Sequence, residues 1–446
     1  MMPRQLFGTD GIRGVAGQYP LDSRTVFAFG RALGEWALSH SGTPRVLIGM
    51  DTRESGPALA AQVTAGLERQ GVPFEIAGVL TTPGVAWLTK TGPFAAGLMI
   101  SASHNAFADN GLKLFAHSGY KVPDAEELEL EKRIFALAEN SAGESGAIQA
   151  HSGVGAAYID FLRSSFPREL AGFKVVVDGG NGSASAFAPG LLRSLGAEVV
   201  ELHCAPNGRN INLHCGALHT EHIQDAAVAH NADLAVAFDG DADRAMFASR
   251  SGKKVDGDHV LLICGRDAKQ RGHLPRDTVV ATVMSNLGLA IALKKHGISL
   301  TRTAVGDKYV LEEMIRIGAV IGGEQSGHII FHEYATTGDG MLTMLRLLDV
   351  MVRQRASLDS LAEELHILPQ TLVNVRFGRK LPLEELDTVQ AAIRACENEF
   401  GEAGRVVVRF SGTEPLARVM VEGTTLDRVG HHAERIAKAI QIELAA

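Results

Sequence analysis

Short apolar runs that end in small, polar or acidic residues, each followed by a helix-length amphipathic stretch, recur along this chain. Val46 to Met50 is such a run, with a helix from about Ser55 to Arg69 behind it and a stop at Gly71. Gly97 to Ile100 runs into Ser101 and a polar loop, and Lys174 to Val177 runs into Asp178-Gly179-Gly180-Asn181-Gly182 with a helix after it. Leu234 to Phe238 ends in a carboxylate loop, and Thr278 to Met284 precedes a helix from about Asn286 to His296. Val320 and Ile321 end in Gly322-Gly323-Glu324. Upstream, Val26, Phe29, Leu33 and Trp36 form the apolar stripe of a helix that Asp22 or Ser23 caps and Gly42 ends. Strands alternating with helices predict parallel, doubly wound sheets. In such sheets ligands gather beyond the carboxyl ends of the strands, where the polar loops lie.

At about 100–200 residues per domain, the chain's length allows two to four domains. A Ser-, Gly- and Ala-rich stretch over 138–155 marks a first boundary, and Gly252 to Gly257 a second. From Pro369 the pattern changes to strand, helix, strands, helix, the signature of a small α+β unit. The expected division is 1–152, 153–254, 255–368 and 369–446. The first three units have the outline of repeats, without the sequence identity that would establish them.

A net charge of −8, with no long basic run, disfavours nucleic acid as a partner. Met1 to Asp10 lacks an apolar signal core, and no run of about 18 apolar residues exists to span a membrane. Cys204, Cys215, Cys264 and Cys396 fit neither a disulfide framework nor paired zinc ligands, although His203–Cys204 and His214–Cys215 invite the thought. Reduced thiols in a cytoplasmic protein are the expectation.

Four loops carry chemistry. Ser101-Ala102-Ser103-His104-Asn105 puts a serine hydroxyl at a strand's end, yet no GxSxG elbow is present to activate it for acyl transfer. A phosphorylated serine would be a donor already loaded, whose charge calls for a cation. Asp239-Gly240-Asp241-Ala242-Asp243-Arg244 supplies three carboxylates that can converge on one hard ion. An EF-hand is ruled out, because Arg244 and Arg250 stand where it needs glycine and glutamate. A haloacid-dehalogenase-type phosphotransferase also begins strand–Asp–x–Asp. It expects Thr or Val where Asp243 stands, and it remains the rival at this point. Gly323-Glu324-Gln325-Ser326-Gly327-His328 offers a carboxylate, a hydroxyl and an imidazole suited to sugar hydroxyls. Arg409-Phe410-Ser411-Gly412-Thr413-Glu414-Pro415, with Arg418 beyond, combines guanidiniums, hydroxyls and glycine amides into a phosphate cradle. Taken singly, each loop could be a solvated turn.

In this order the four loops resemble those of the α-D-phosphohexomutase superfamily, which includes phosphoglucomutases, phosphomannomutases and phosphoglucosamine mutases. The resemblance runs from Phe7 to the last helix. Finer details are similar to the phosphoglucosamine mutase group: Phe7 to Gly14, Thr282 to Asn286, Val305-Gly306-Asp307 and Gln325. Ala106, Lys308 and Phe410 depart from the common pattern without removing a group the chemistry needs.

The resemblance implies three doubly wound α/β domains and a smaller C-terminal α+β domain around one central cleft. It implies that Ser103 carries phosphate and that one Mg²⁺ is held by Ser103, Asp239, Asp241 and Asp243. Arg13 and Arg244 would hold charge on the transferring group. Lys113 or His104 would take the sugar hydroxyl proton; for the lysine, that requires a pKa depressed by neighbouring cations. Glu324, Ser326 and His328 would bind the sugar, and Arg409, Ser411, Gly412, Thr413 and Arg418 the distal phosphate. The expected reaction exchanges 6- and 1-phosphates of a hexose, with glucosamine first and mannose or glucose as alternatives. Small-molecule sugar phosphates are the expected partners, with no nucleic acid or membrane, and a homodimer follows from resemblance alone. A non-catalytic sugar-phosphate binder is the reading from another class; it predicts binding without turnover.

Overall fold

The computed structural model describes residues 5–8, 10–139, 142–151, 153–379, 381–410 and 416–444. Four sheets follow one another along the chain. In the first, Val46–Met50 lies parallel between Phe74–Val79 and Ala96–Ile100. Asp109–Ala116 then runs antiparallel to Ala96–Ile100, and Ile12–Val15 closes the edge. The second sheet sets Lys174–Asp178 parallel between Glu198–Leu202 and Leu234–Phe238, with Ala245–Ser249 antiparallel beyond. The third sets Thr278–Thr282 parallel between Ser299–Thr303 and Ile321–Gly323, with Ile329–Phe331 antiparallel beyond.

The strand order is therefore the same in all three units: second, first, third, then an antiparallel fourth. That shared order establishes structurally the repeat that sequence identity leaves open. The sheets are mixed, which corrects the expectation of parallel sheets, because a hairpin-like return from the third strand adds an antiparallel fourth. The serine, carboxylate and glutamate loops all occupy the same place, the turn between third and fourth strands. Three copies of one architecture thus deliver three different chemistries to one point.

Element bounds agree with the reading within a residue or two. Helix Ser23–His40 starts where the Asp22 carboxylate accepts from Thr25 N at 3.1 Å. Its Gly30 crosses helix Gly56–Arg69 so closely that a Cβ there would lie 2.2 Å from Val63 O. Strand Thr278–Thr282 ends two residues early, because Asn286 caps helix Leu287–Lys295 through its side chain. After Gly182 a 3₁₀ turn, Ser183–Ala186, precedes helix Ala188–Ser194.

The apolar core explains what is rigid. One cluster runs without a break from Leu47 and Phe115 through Val177 and Phe238 to Leu293 and Leu348, joining the first three units. The C-terminal unit packs Gln370–Arg376, Leu416–Glu422 and Arg405–Phe410 into an antiparallel sheet under helices Asp387–Phe400 and Leu426–Glu443. Its buried residues form a cluster of their own. Burial of apolar surface therefore binds three units into one body and gives the fourth a core of its own.

Candidate active site

The serine loop leaves strand Ala96–Ile100 and bends back at Ser103, whose φ of 52° lies in the left-handed region. Ser103 is buried, and its Oγ donates to Asp239 Oδ2 at 2.6 Å. Asp239, Asp241 and Asp243 present carboxylate oxygens within 4.8 Å of one another. The turn that gathers them needs Ala242 at φ 57°, and Asp239 Oδ1 accepts from Arg244 N at 3.1 Å.

Electrostatics divide these carboxylates. Burial, then the charges of Asp243 and Asp241, push Asp239 well above the usual carboxylate range. Burial also works to raise Asp241, but Lys113 and hydrogen bonds from Lys113 and Thr82 outweigh it and hold Asp241 at about 2. Lys113 Nζ donates to Asp241 Oδ2 at 2.8 Å, and Thr82 Oγ1 donates to the same oxygen at 2.5 Å. Asp241 Oδ1 and Asp243 Oδ1 are buried without a hydrogen-bond partner. Unsatisfied buried oxygens and a carboxyl driven towards neutrality are what an all-oxygen cation site looks like without its charge. The residues present fit a hard divalent cation.

Around this centre lies a ring of alternating charge. Asp10 meets Arg13 at 2.5 Å, Lys113 at 2.9 Å and Lys121 at 2.7 Å. Lys121 also meets Asp307 at 2.5 Å, and His328 Nε2 stands 3.7 Å from Asp307 and 3.9 Å from Asp243. A general base at Lys113 requires a depressed pKa. Although burial and Arg13 work against its charge, Asp10, Asp241 and Asp243 hold its pKa well above normal. His104 differs: burial, then Arg244 and Arg13, lower it to about 4. Its Nδ1 lies 3.3 Å from Ser103 Oγ.

Two adjoining cavities open from this centre. One, of about 660 Å³, is lined by Asp10, Arg13, His104, Asp243, Arg244, Asp307, Glu324 and His328. The other, of about 750 Å³, shares His104, Arg244 and Glu324 and adds Thr282, Met284, Gln325, Ser326 and Arg418. Glu324 is positioned by Gly306 N at 3.2 Å and Ser326 Oγ at 3.3 Å. Arg409 stands directly opposite Arg418 across the antiparallel pair of the C-terminal sheet. Burial and the charge of Arg418 lower the pKa of Arg409, so an anion between the two guanidiniums would relieve both.

The structure thus gathers Arg13, Ser103, His104, Lys113, the three aspartates, Arg244, Glu324, Ser326 and His328, with Arg418 facing them. Ser411, Gly412 and Thr413 lie outside the described residues. Thr82 and Lys121 were not singled out from the sequence, because only long-range contacts bring them to the centre; Asp10 lies in the Phe7 to Gly14 stretch, which the sequence gives no role of its own. His203 and Cys215 meet beside Asp178. That carboxylate accepts from Gly180 N and Gly216 N and lies 2.9 Å from His203 Nδ1, so hydrogen bonding accounts for the cluster. All four cysteines are free thiols.

Comparison with known proteins covers nearly the whole chain. Four family models match in succession: phosphoglucomutase/phosphomannomutase alpha/beta/alpha domain I over 4–141, domain II over 156–252, domain III over 256–367, and the C-terminal domain over 372–439. A phosphoglucosamine mutase of Solibacter usitatus is 56% identical, covering 99% of this chain and 100% of the relative. One of Koribacter versatilis is 50% identical, over 98% and 97%. A phosphoglucomutase/phosphomannomutase family protein from Burkholderia thailandensis superposes with a TM-score of 0.81 at 25% identity, over 97% of each chain.

Proposed function

This chain belongs to the phosphoglucomutase/phosphomannomutase family, and we propose that it interconverts glucosamine 6-phosphate and glucosamine 1-phosphate. The sugar rests on full-length relatives named phosphoglucosamine mutase at 44–56% identity. The observation that carries the chemistry is Ser103 Oγ within 2.6 Å of Asp239 in a loop of three converging carboxylates.

In this reading Ser103 carries a phosphoryl group. A phosphorus–oxygen bond forms to the free sugar hydroxyl as the bond to Ser103 Oγ breaks, giving a 1,6-bisphosphate. The bisphosphate turns end for end, and its other phosphoryl group returns to Ser103. Catalysis of this kind is mostly positioning and charge stabilisation. Mg²⁺, held by Asp239, Asp241, Asp243 and the serine oxygen, would neutralise charge on the transferring group. Arg13 and Arg244 face the same volume as Asp243 and supply fixed positive charge. His104, whose Nδ1 lies 3.3 Å from Ser103 Oγ, or Lys113, 2.8 Å from Asp241, would accept the hydroxyl proton. Glu324, Ser326 and His328 would hold ring hydroxyls, and Arg409, Ser411, Gly412, Thr413 and Arg418 the phosphate that is not reacting.

The division at 152, 254 and 368 assigns one functional loop to each unit. Among the described residues no helix is long and apolar enough to cross a membrane, and free thiols suit a reducing cytoplasm. A coupled assay offering glucosamine, glucose and mannose phosphates tests the sugar. Turnover should be highest with glucosamine phosphate; a preference for either neutral sugar would reassign the substrate.

A further inference from the structure

Ser103 is gripped at both ends of its own peptide. Its N–H donates to Ser101 Oγ at 2.9 Å, and that hydroxyl donates to Asp51 Oδ2 at 2.6 Å. Its carbonyl accepts from Arg53 at 3.0 Å and from Asn212 Nδ2 at 2.9 Å. A non-glycine residue with a left-handed backbone persists only where its surroundings hold it there.

Arg53 is fully buried and uses its whole guanidinium. Nε donates to Asp51, one terminal nitrogen to the carbonyls of Ala106 and Asp109, and the other to those of Ser103 and Asn105. A guanidinium has five N–H donors, and five acceptors meet it here. Arg53 therefore ties the serine loop to its own sheet.

Asn212 reaches the same loop from the second unit. Its amide donates to the carbonyls of Ser103 and Asn105 at 2.9 and 3.1 Å. It passes over Gly240 of the carboxylate loop, where a Cβ would lie 2.6 Å from Ser103 O and 3.0 Å from Asn212 Nδ2. Asn212 sits at φ 56°, and its N–H donates to Gly180 O at 2.8 Å. Asn212 thus joins the serine loop of one unit to the Gly180 turn of the next, a turn tied to the carboxylate loop where Ser183 N donates to Gly240 O at 2.9 Å.

We propose that Asn212 is a positioning residue that sets Ser103 Oγ against the carboxylate loop, with Arg53 as its fixed counterpart. This rests on the mutase reading. Asn212 touches no reacting atom, so its loss is felt in the transfer step and not in sugar binding. Asn212→Asp keeps the shape and removes the donor. Asn212→Gly keeps the left-handed backbone and removes the side chain.

The test compares steady-state kinetics of wild type and both variants on glucosamine 1-phosphate. It also follows the rate at which Ser103 gains phosphate from a hexose 1,6-bisphosphate, read by intact mass. Both variants should lose about ten-fold or more in kcat, with KM within about two-fold, as expected for two hydrogen bonds lost from the loop that holds Ser103. Phosphorylation of Ser103 should slow in parallel. Normal kcat in both variants, or a raised KM at normal kcat, would overturn the assignment while leaving the mutase reading intact. Loss of the folded state in both would overturn it too, by making Asn212 a structural residue. A wild type that neither turns over nor takes up phosphate sinks the mutase reading, and this inference with it.

Discussion

Ser103 Oγ donates a hydrogen bond of 2.6 Å to Asp239 Oδ2 across 136 residues of sequence. Both residues lie in the turn between third and fourth strands of their units, so the contact joins equivalent places in two repeats. A hydroxyl held this way by a carboxylate, with no GxSxG elbow to make it an acyl nucleophile, suits a phosphate carrier. Purified protein should carry phosphate on Ser103 in a fraction of molecules, found by intact-mass and peptide mass spectrometry. Ser103→Ala should abolish both the modification and turnover. Phosphate on Asp239 instead would restore the dehalogenase-type rival.

Replacing Asp241 should separate binding from turnover. Its Oδ2 accepts from Lys113 and Thr82, while its buried Oδ1 has no hydrogen-bond partner. Asp241→Asn removes one charge from the cation site and leaves both sugar-facing cavities intact. Electrostatic stabilisation by a bound ion supplies several kcal/mol in the transition state, so kcat should fall by about a hundred-fold or more. KM should move by only about two- to three-fold. Kinetics across a Mg²⁺ titration check this; wild-type kcat at saturating Mg²⁺ would remove Asp241 from the site.

How much of this could be read from the sequence follows from which contacts are local. Ser103, Asp239 and Glu324 were legible because each follows a short apolar strand in a loop that, taken in order with the others, resembles one family's set. The strand Asp109–Ala116 was not, because it is buried on both faces and shows no alternation to betray it. Lys113 is a central residue of that strand. The sequence hides how Asp10, Asp241 and Asp243 converge on it. Thr82 and Asn212 act through partners far along the chain, and so do the terminal nitrogens of Arg53, which no local pattern announces.

Stability should depend on pH through Asp258, at the start of helix Gly257–Gln270. It is fully buried, and its Oδ2 accepts from Asn286 N at 2.7 Å. Burial, then the charge of Asp256, push it up to about 7. An unfolded aspartate loses its proton near pH 4, whereas this one keeps it to about pH 7. The folded state therefore binds more protons across that window. The contribution is full below about pH 4 and is lost as pH rises through about 7. Asp258→Asn mimics the protonated form. Between pH 5 and 8 the wild type should lose about 1–3 kcal/mol more than this variant, by urea unfolding. Equal losses would mean Asp258 is ionised in the fold.

The C-terminal unit should act as a lid whose phosphate cradle serves both half-reactions. Its core is separate from the continuous core of the first three units. Polar contacts tie it to the third unit. Asn286 Nδ2 and Leu287 N donate to the two oxygens of buried Glu422, and Arg405 donates to the Ser285 carbonyl. A polar joint of this kind, beside a core that is the unit's own, suits a movement of the unit as a body. The bisphosphate must turn without being lost: a cleft held shut blocks the turn, and one held open releases it. A lid that carries only the distal cradle meets both demands. Arg409 and Arg418 stand opposite one another on adjacent strands, and in the mutase reading they would hold whichever phosphate is not reacting. Losing one guanidinium contact costs about 1.5–3 kcal/mol. Arg409→Ala should therefore weaken both monophosphates about ten- to a hundred-fold. It should also release more free bisphosphate, seen by chromatography of the reaction mixture. Lost affinity for only one isomer, with no extra bisphosphate released, would rule out both the shared cradle and the lid.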